Sequence, residues 1–166
     1  MSEPRFDELL RRLVEDDVRF VLVGGLALNA WGVVRGTEDV DVVADPDPAN
    51  LRRLAECVVA IGGHVQQREA LLSSPPSIAA ALASERQVAI DTELGHLDVL
   101  RDFPGMASYH ELAGRASDAE VRSVSVHVCS LDDLRAMKRA AGGRRDLADL
   151  DDLDAAHGDE PGDPGS

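Results

Sequence analysis

The stretch that most constrains this chain is Val21-Leu-Val-Gly-Gly-Leu-Ala, followed by Arg35-Gly-Thr-Glu-Asp-Val-Asp-Val-Val. Val21 to Val23 read as a buried strand that Gly24 and Gly25 end without side chains in the way. Leu26, Ala27, Ala30 and Trp31 recur at helical spacing, so a helix over 25–33 opens at the glycines. Its first turn leaves N–H groups unpaired, an arrangement that attracts phosphate. Asp39 and Asp41 stand two apart on the next strand and project from one face, with Val40 and Val42 projecting from the other. Paired carboxylates repel unless a cation lies between them, and Mg²⁺ takes oxygen ligands and completes its shell with substrate phosphates. A phosphate cradle and a carboxylate pair joined by one helix point to a nucleoside triphosphate site.

Gly-Gly, thirteen residues, then Asp-x-Asp resembles the signature of the DNA polymerase β-like nucleotidyltransferase superfamily. The fuller string Gly24-Gly25-x-Ala27, Gly32, Arg35-x-Thr37-x-Asp39-Val40-Asp41 is more closely similar to its small bacterial branch. That branch holds the AbiEii-type toxins of type IV toxin–antitoxin systems and small antibiotic nucleotidyltransferases. The resemblance implies an α+β fold: a mixed β-sheet flanked by helices, with a small C-terminal helical segment over 130–157. It also implies nucleotidyl transfer supported by two Mg²⁺ ions on Asp39, Asp41 and a third carboxylate. Many superfamily members have Gly-Ser where this chain has Gly24-Gly25, so a hydroxyl contact to phosphate is lost while the backbone N–H is kept.

The third carboxylate of the superfamily lies on a strand beside the Asp-x-Asp strand. Gln87–Asp91 and Gly95–Leu100 read as two strands with a turn between them. In the second, Asp98 points away from Leu97 and Val99, and Arg101-Asp-Phe-Pro-Gly105 continues like the family, so Asp98 is the candidate. Asp91 also ends an apolar strand and competes with it. His96 shares the parity of Asp98, but an oxygen-preferring ion leaves it as a neighbour rather than a ligand.

Arg35 and Thr37 precede the carboxylates, and Thr37 shares their parity and faces the site. Arg35 either caps a helix end or pairs with a surface acid, or else it neutralises a phosphate or steadies a carboxylate; the resemblance favours the functional role. The segment from Leu134 to Asp149 is similar to the C-terminal motif of the AbiEii branch, which makes Lys138 the triphosphate lysine and Arg144 and Asp146 the lip of the site. From physics alone, Arg135, Lys138, Arg139, Arg144 and Arg145 also suit a solvated basic helix end, favourable to the helix dipole.

Elsewhere the pattern is structural. Phe6, Leu9, Leu10, Leu13 and Val14 predict an amphipathic helix over 4–16. Asp47-Pro48 predicts a helix start, and 64–67 a short strand. Ser73-Ser-Pro-Pro-Ser predicts a loop, followed at Ile78–Ala83 by either a short helix or a lid. Tyr109 to Leu112 reads as a helical turn, and Glu120–Cys129 as one strand with a slip in its alternation. Ser130 opens a helix, Asp146–Ala156 is a last helix, and 158–166 is a disordered tail. The expected organisation is one nucleotidyltransferase domain over 1–157.

The net charge is −14, and the eight acids from Asp146 onward, with no Lys or Arg among them, supply more than half of it. General acidity disfavours non-specific nucleic-acid binding. Cys57 and Cys129 lie far apart in apolar contexts, as reduced thiols of a cytoplasmic protein do. No basic-then-apolar leader and no apolar run of about twenty residues is present, so no membrane partner is expected. The expected partners are a nucleoside triphosphate, an RNA (tRNA) or protein acceptor, and an antitoxin protein. Two other functions fit the residues: an aminoglycoside or lincosamide adenylyltransferase, and a non-catalytic nucleotide-binding component of a toxin–antitoxin pair.

Overall fold

The computed structural model describes residues 3–158. Helix α1 (Phe6–Glu15) buries Phe6, Leu9, Leu10 and Leu13 along one stripe. Strand β1 (Phe20–Val23) is buried at all four positions, the pattern of a central strand covered on both faces. It runs into α2 (Gly24–Ala30), and β2 (Asp39–Ala44) follows. Helix α3 (Pro48–Ala60) starts on an Asp47 cap that accepts the Ala49 N–H at 3.1 Å. A small ribbon of β3 (Val65–Gln67) and β4 (Ala70–Leu72) precedes α4 (Pro75–Ser84). Then come β5 (Gln87–Thr92), β6 (Gly95–Leu100), α5 (Tyr109–Arg115), β7 (Ser117–Val121) and β8 (Val124–Val128). The described chain closes with α6 (Leu131–Ala141) and α7 (Arg144–His157).

Six strands form one mixed sheet in the order β5-β6-β2-β1-β8-β7. β2 is antiparallel to β1 and parallel to β6, while β1 and β8 are parallel. The fold is the expected α+β arrangement, with helices flanking the sheet and a helical C-terminal segment. One apolar cluster runs from α1 through β1, α2, β2, α3 and β6 to Leu153 of α7. The Trp31 indole N–H donates to the Cys129 carbonyl at 3.0 Å, fastening the end of α2 to the entry of α6.

Two expectations need correction. The stretch Ser73–Ser77 is not all loop: α4 begins at Pro75, and Ser74 and Ser77 form a reciprocal capping box. Prolines in a first turn break nothing, because those N–H groups have no helical partner anyway. Of the two alternatives at Ile78–Ala83, the chain takes the helix, burying Ile78, Ala81 and Leu82. Glu120–Cys129 is not one strand; it covers the end of β7, a turn and β8. The slip in alternation is the two-residue turn Arg122-Ser123, with both residues at positive φ, 51° and 68°. Such a turn follows the twist of its strands, but here no glycine or asparagine announces it. The expected tail at 158–166 lies outside the described residues apart from Gly158. Among the described residues, no helix is long and apolar enough to cross a membrane.

Candidate active site

Strand pairing assembles the carboxylates. In the parallel pair β2 and β6, Asp39 is opposite His96 and Asp41 is opposite Asp98. Partners opposite each other in a sheet share a face, so the four side chains leave the same side. Ligand atoms of Asp39, His96 and Asp98 lie within 4.8 Å of one another. Asp98 is 8 % exposed and accepts from the Gln87 amide at 3.3 Å. His96 bridges two acids, with Nδ1 2.8 Å from Asp91 and Nε2 3.2 Å from Asp98. Asp91, the competing acid, sits exposed on edge strand β5 and touches the cluster through His96.

The crowding shows in the proton affinities. Burial, then the charges of Asp98 and Asp39, push the Asp41 carboxyl up to about 7, against a smaller opposing pull from Lys138. Burial also raises Asp39, with His96 opposing and Asp98 adding to it. Burial works against a charged His96, but its bond to Asp91 and the neighbouring carboxylates outweigh this and raise it. Oxygen donors crowded until they keep protons above their usual range suit a divalent cation.

The diglycine fits around these acids. Gly24, at φ +69°, lies so close to β2 that a Cβ there would stand 2.8 Å from both Cβ and Cγ of Asp41, and nearer still to its Oδ2. A Cβ on Gly25 would stand 2.6 Å from Thr37 Oγ1, and that hydroxyl donates to the Asp39 carbonyl at 2.9 Å. Thr37 therefore fills the space beside the second glycine.

The basic side comes from α6, α7 and the segment before β2. Lys138 Nζ is 3.0 Å from Asp149 and 3.3 Å from Asp146. The Arg35 guanidinium donates to both oxygens of Asp149. Asp146 also accepts the Gly143 N–H, at 3.2 Å. Arg144 opens α7 in an exposed position, away from these contacts. Burial opposes the Asp149 charge, but Lys138 and Arg35 outweigh it and hold the carboxyl below the usual range. Sequence reasoning placed Asp149 at the end of the C-terminal motif and gave it no role. The available signal was an acid beside Leu150 on the stripe that ends in Leu153, where a buried charge needs a cation.

A mixed sheet that brings two acids of one strand against a third on its neighbour, facing a diglycine turn, is the plan of a nucleotidyltransferase. A family model described as nucleotidyl transferase AbiEii toxin, type IV TA system, matches residues 8–163. The chain belongs to that family and is a nucleotidyltransferase. Solved structures of similar fold include the antibiotic-resistance factor ANT(2'')-Ia, with a TM-score of 0.63 at 13 % identity, covering 91 % of this chain and 81 % of that one. The lincomycin-bound lincosamide antibiotic adenylyltransferase LnuA gives 0.63 at 14 %, covering 94 % of this chain and 98 % of that one. ANT(2'')-Ia in complex with adenylyl-2''-tobramycin gives 0.61 at 14 %, covering 91 % and 86 %. No curated protein matches the chain significantly.

Proposed function

We propose that residues 1–157 form one cytoplasmic, Mg²⁺-dependent nucleotidyltransferase domain, which moves a nucleoside monophosphate from a nucleoside triphosphate to a hydroxyl on RNA, tRNA above all, or on protein. The observation that carries this is the register of β2 and β6, with Asp41 beside Asp98 and Asp39 beside His96. Asp39, Asp41 and Asp98 would hold two Mg²⁺ ions, and His96 would steady Asp98. When bound, the ions neutralise charge on the attacking and leaving oxygens of an in-line displacement.

The remaining tasks fall to the chain itself. Lys138 and Arg35 would take the β- and γ-phosphate charge, with the Gly24 and Gly25 amides beside them and Arg144 at the lip. Thr37 would fix the approach to the diglycine. The acceptor oxygen bonds to the α-phosphorus, the bond to pyrophosphate breaks, and Asp98 would receive the acceptor's proton. Positioning and charge stabilisation carry most of such catalysis. A small antitoxin protein would be the cellular partner.

A second reading keeps an antibiotic as acceptor. Drug enzymes of this kind often add a larger helical domain, yet LnuA is matched over 98 % of its length, so chain size does not separate the two. Labelled nucleoside triphosphates, Mg²⁺ and total tRNA or lysate test the first reading: wild type labels a macromolecule and Asp39→Ala does not. Equal labelling by both proteins removes it. Resistance to lincosamides or aminoglycosides on expression would select the second.

A further inference from the structure

Two cations from distant parts of the chain meet on one buried acid. Arg35 arrives from the segment before β2 and Lys138 from α6, and Asp149 on α7 takes both. Its side chain is 4 % exposed, and both of its oxygens are engaged by Arg35. Asp146 lies one turn earlier, 26 % exposed, with Lys138 at 3.3 Å on one oxygen and the Gly143 N–H on the other. The two acids therefore differ in kind: one is locked in the interior, the other stands at the rim.

We propose that Asp149 is a positioning residue, holding Arg35 and Lys138 side by side as a ready-made clamp for a triphosphate, and that Asp146 is the counter-ion the triphosphate displaces from Lys138. This rests on the nucleotidyltransferase reading above. A lysine stem is flexible, and two cations repel each other; a fixed carboxylate between them removes both costs before substrate arrives. With Asp146 in place the four groups are neutral together. Once it is displaced, Arg35, Lys138 and Asp149 keep one positive charge for the incoming phosphates. Until then the rim acid keeps the Lys138 ammonium paired.

Opposite effects of two neighbouring acids test this. Binding of α,β-methylene ATP with Mg²⁺ is measured by calorimetry, alongside KM and kcat for labelling. Asp149→Asn should weaken binding and raise KM about tenfold or more, with a smaller change in kcat. Asp146→Asn should tighten binding severalfold. On a Lys138→Met background the Asp146→Asn effect should vanish, and the Asp149→Asn effect should shrink to the part carried through Arg35, since coupled residues are not additive. A purely structural Asp149 would give an effect of full size there. Asp149→Asn binding as tightly as wild type, or Asp146→Asn binding more weakly, overturns the clamp. If Asp149→Asn does not melt cooperatively, the Asp146→Asn comparison with and without Lys138 decides alone. No binding of any triphosphate by wild type would instead remove the reading on which the clamp rests.

Discussion

Gly24 and Asp41 leave no room for a single added carbon between them: a Cβ on Gly24 would stand 2.8 Å from Asp41 Cγ. β1 and β2 are antiparallel, with Val23 opposite Asp41, so the turn out of β1 begins against that carboxylate. Gly24→Ala displaces the acid, and labelling activity should fall about a hundredfold or more. Its left-handed backbone adds strain of about 1–3 kcal/mol, read as a lower melting temperature. Near-normal activity in Gly24→Ala would show that the turn and the acid do not work together.

The second glycine gives a different outcome. Gly25→Ser, which restores the Gly-Ser of many superfamily members, puts its Cβ 2.6 Å from Thr37 Oγ1 and 2.9 Å from Thr37 Cβ. It should lower activity rather than raise it, and Thr37→Ala in the same chain should recover part of the loss. Activity and melting temperature across the two single variants and the double variant check the coupling.

Asp41 fixes a pH dependence. Its folded carboxyl is pushed up to about 7, above its ordinary 3.8. The folded chain then holds a proton that the unfolded chain gives up, so this group's contribution to stability falls as pH rises from about 4 through about 7. In EDTA, Asp41→Asn should melt above wild type at about pH 8 and close to it at about pH 4. Added Mg²⁺ should raise the wild-type melting temperature at the higher pH more than that of the variant. Parallel curves for the two proteins at every pH would contradict the crowding of acids.

Both thiols are shut away. Cys57 and Cys129 are 2 % and 0 % exposed, and burial, helped by nearby acids, pushes each up to about 12. Neither should react with a disulfide reagent in the native protein at about pH 8, and both should react at once in denaturant. Absorbance of the released reagent thiolate counts them.

How far the sequence carries depends on the range of each contact. The alternation of Asp39 and Asp41 with Val40 and Val42 is local, and a strand repeats every two residues, so which side chains share a face is legible at once. The Asp47 cap and the buried stripe of α1 are local too. Strand order is not. No local periodicity near Asp98 states that β6 lies beside β2 while β1 lies on the other side; the family resemblance alone implied that neighbour, and the register that puts Asp98 opposite Asp41 emerges only in the folded sheet. The hairpin at Arg122-Ser123 hides because neither residue advertises a left-handed backbone. Asp149 hides because its meaning lies in Arg35, 114 residues away in the chain.

That separation sets an order of events during synthesis. The acid-bearing strands leave the ribosome well before α6 and α7, so a growing chain carries its carboxylates without the lysine that faces them. On the proposed function, such a nascent chain offers a triphosphate only Arg35 and the diglycine amides, and Lys138 and Asp149 complete the clamp when the last helices dock.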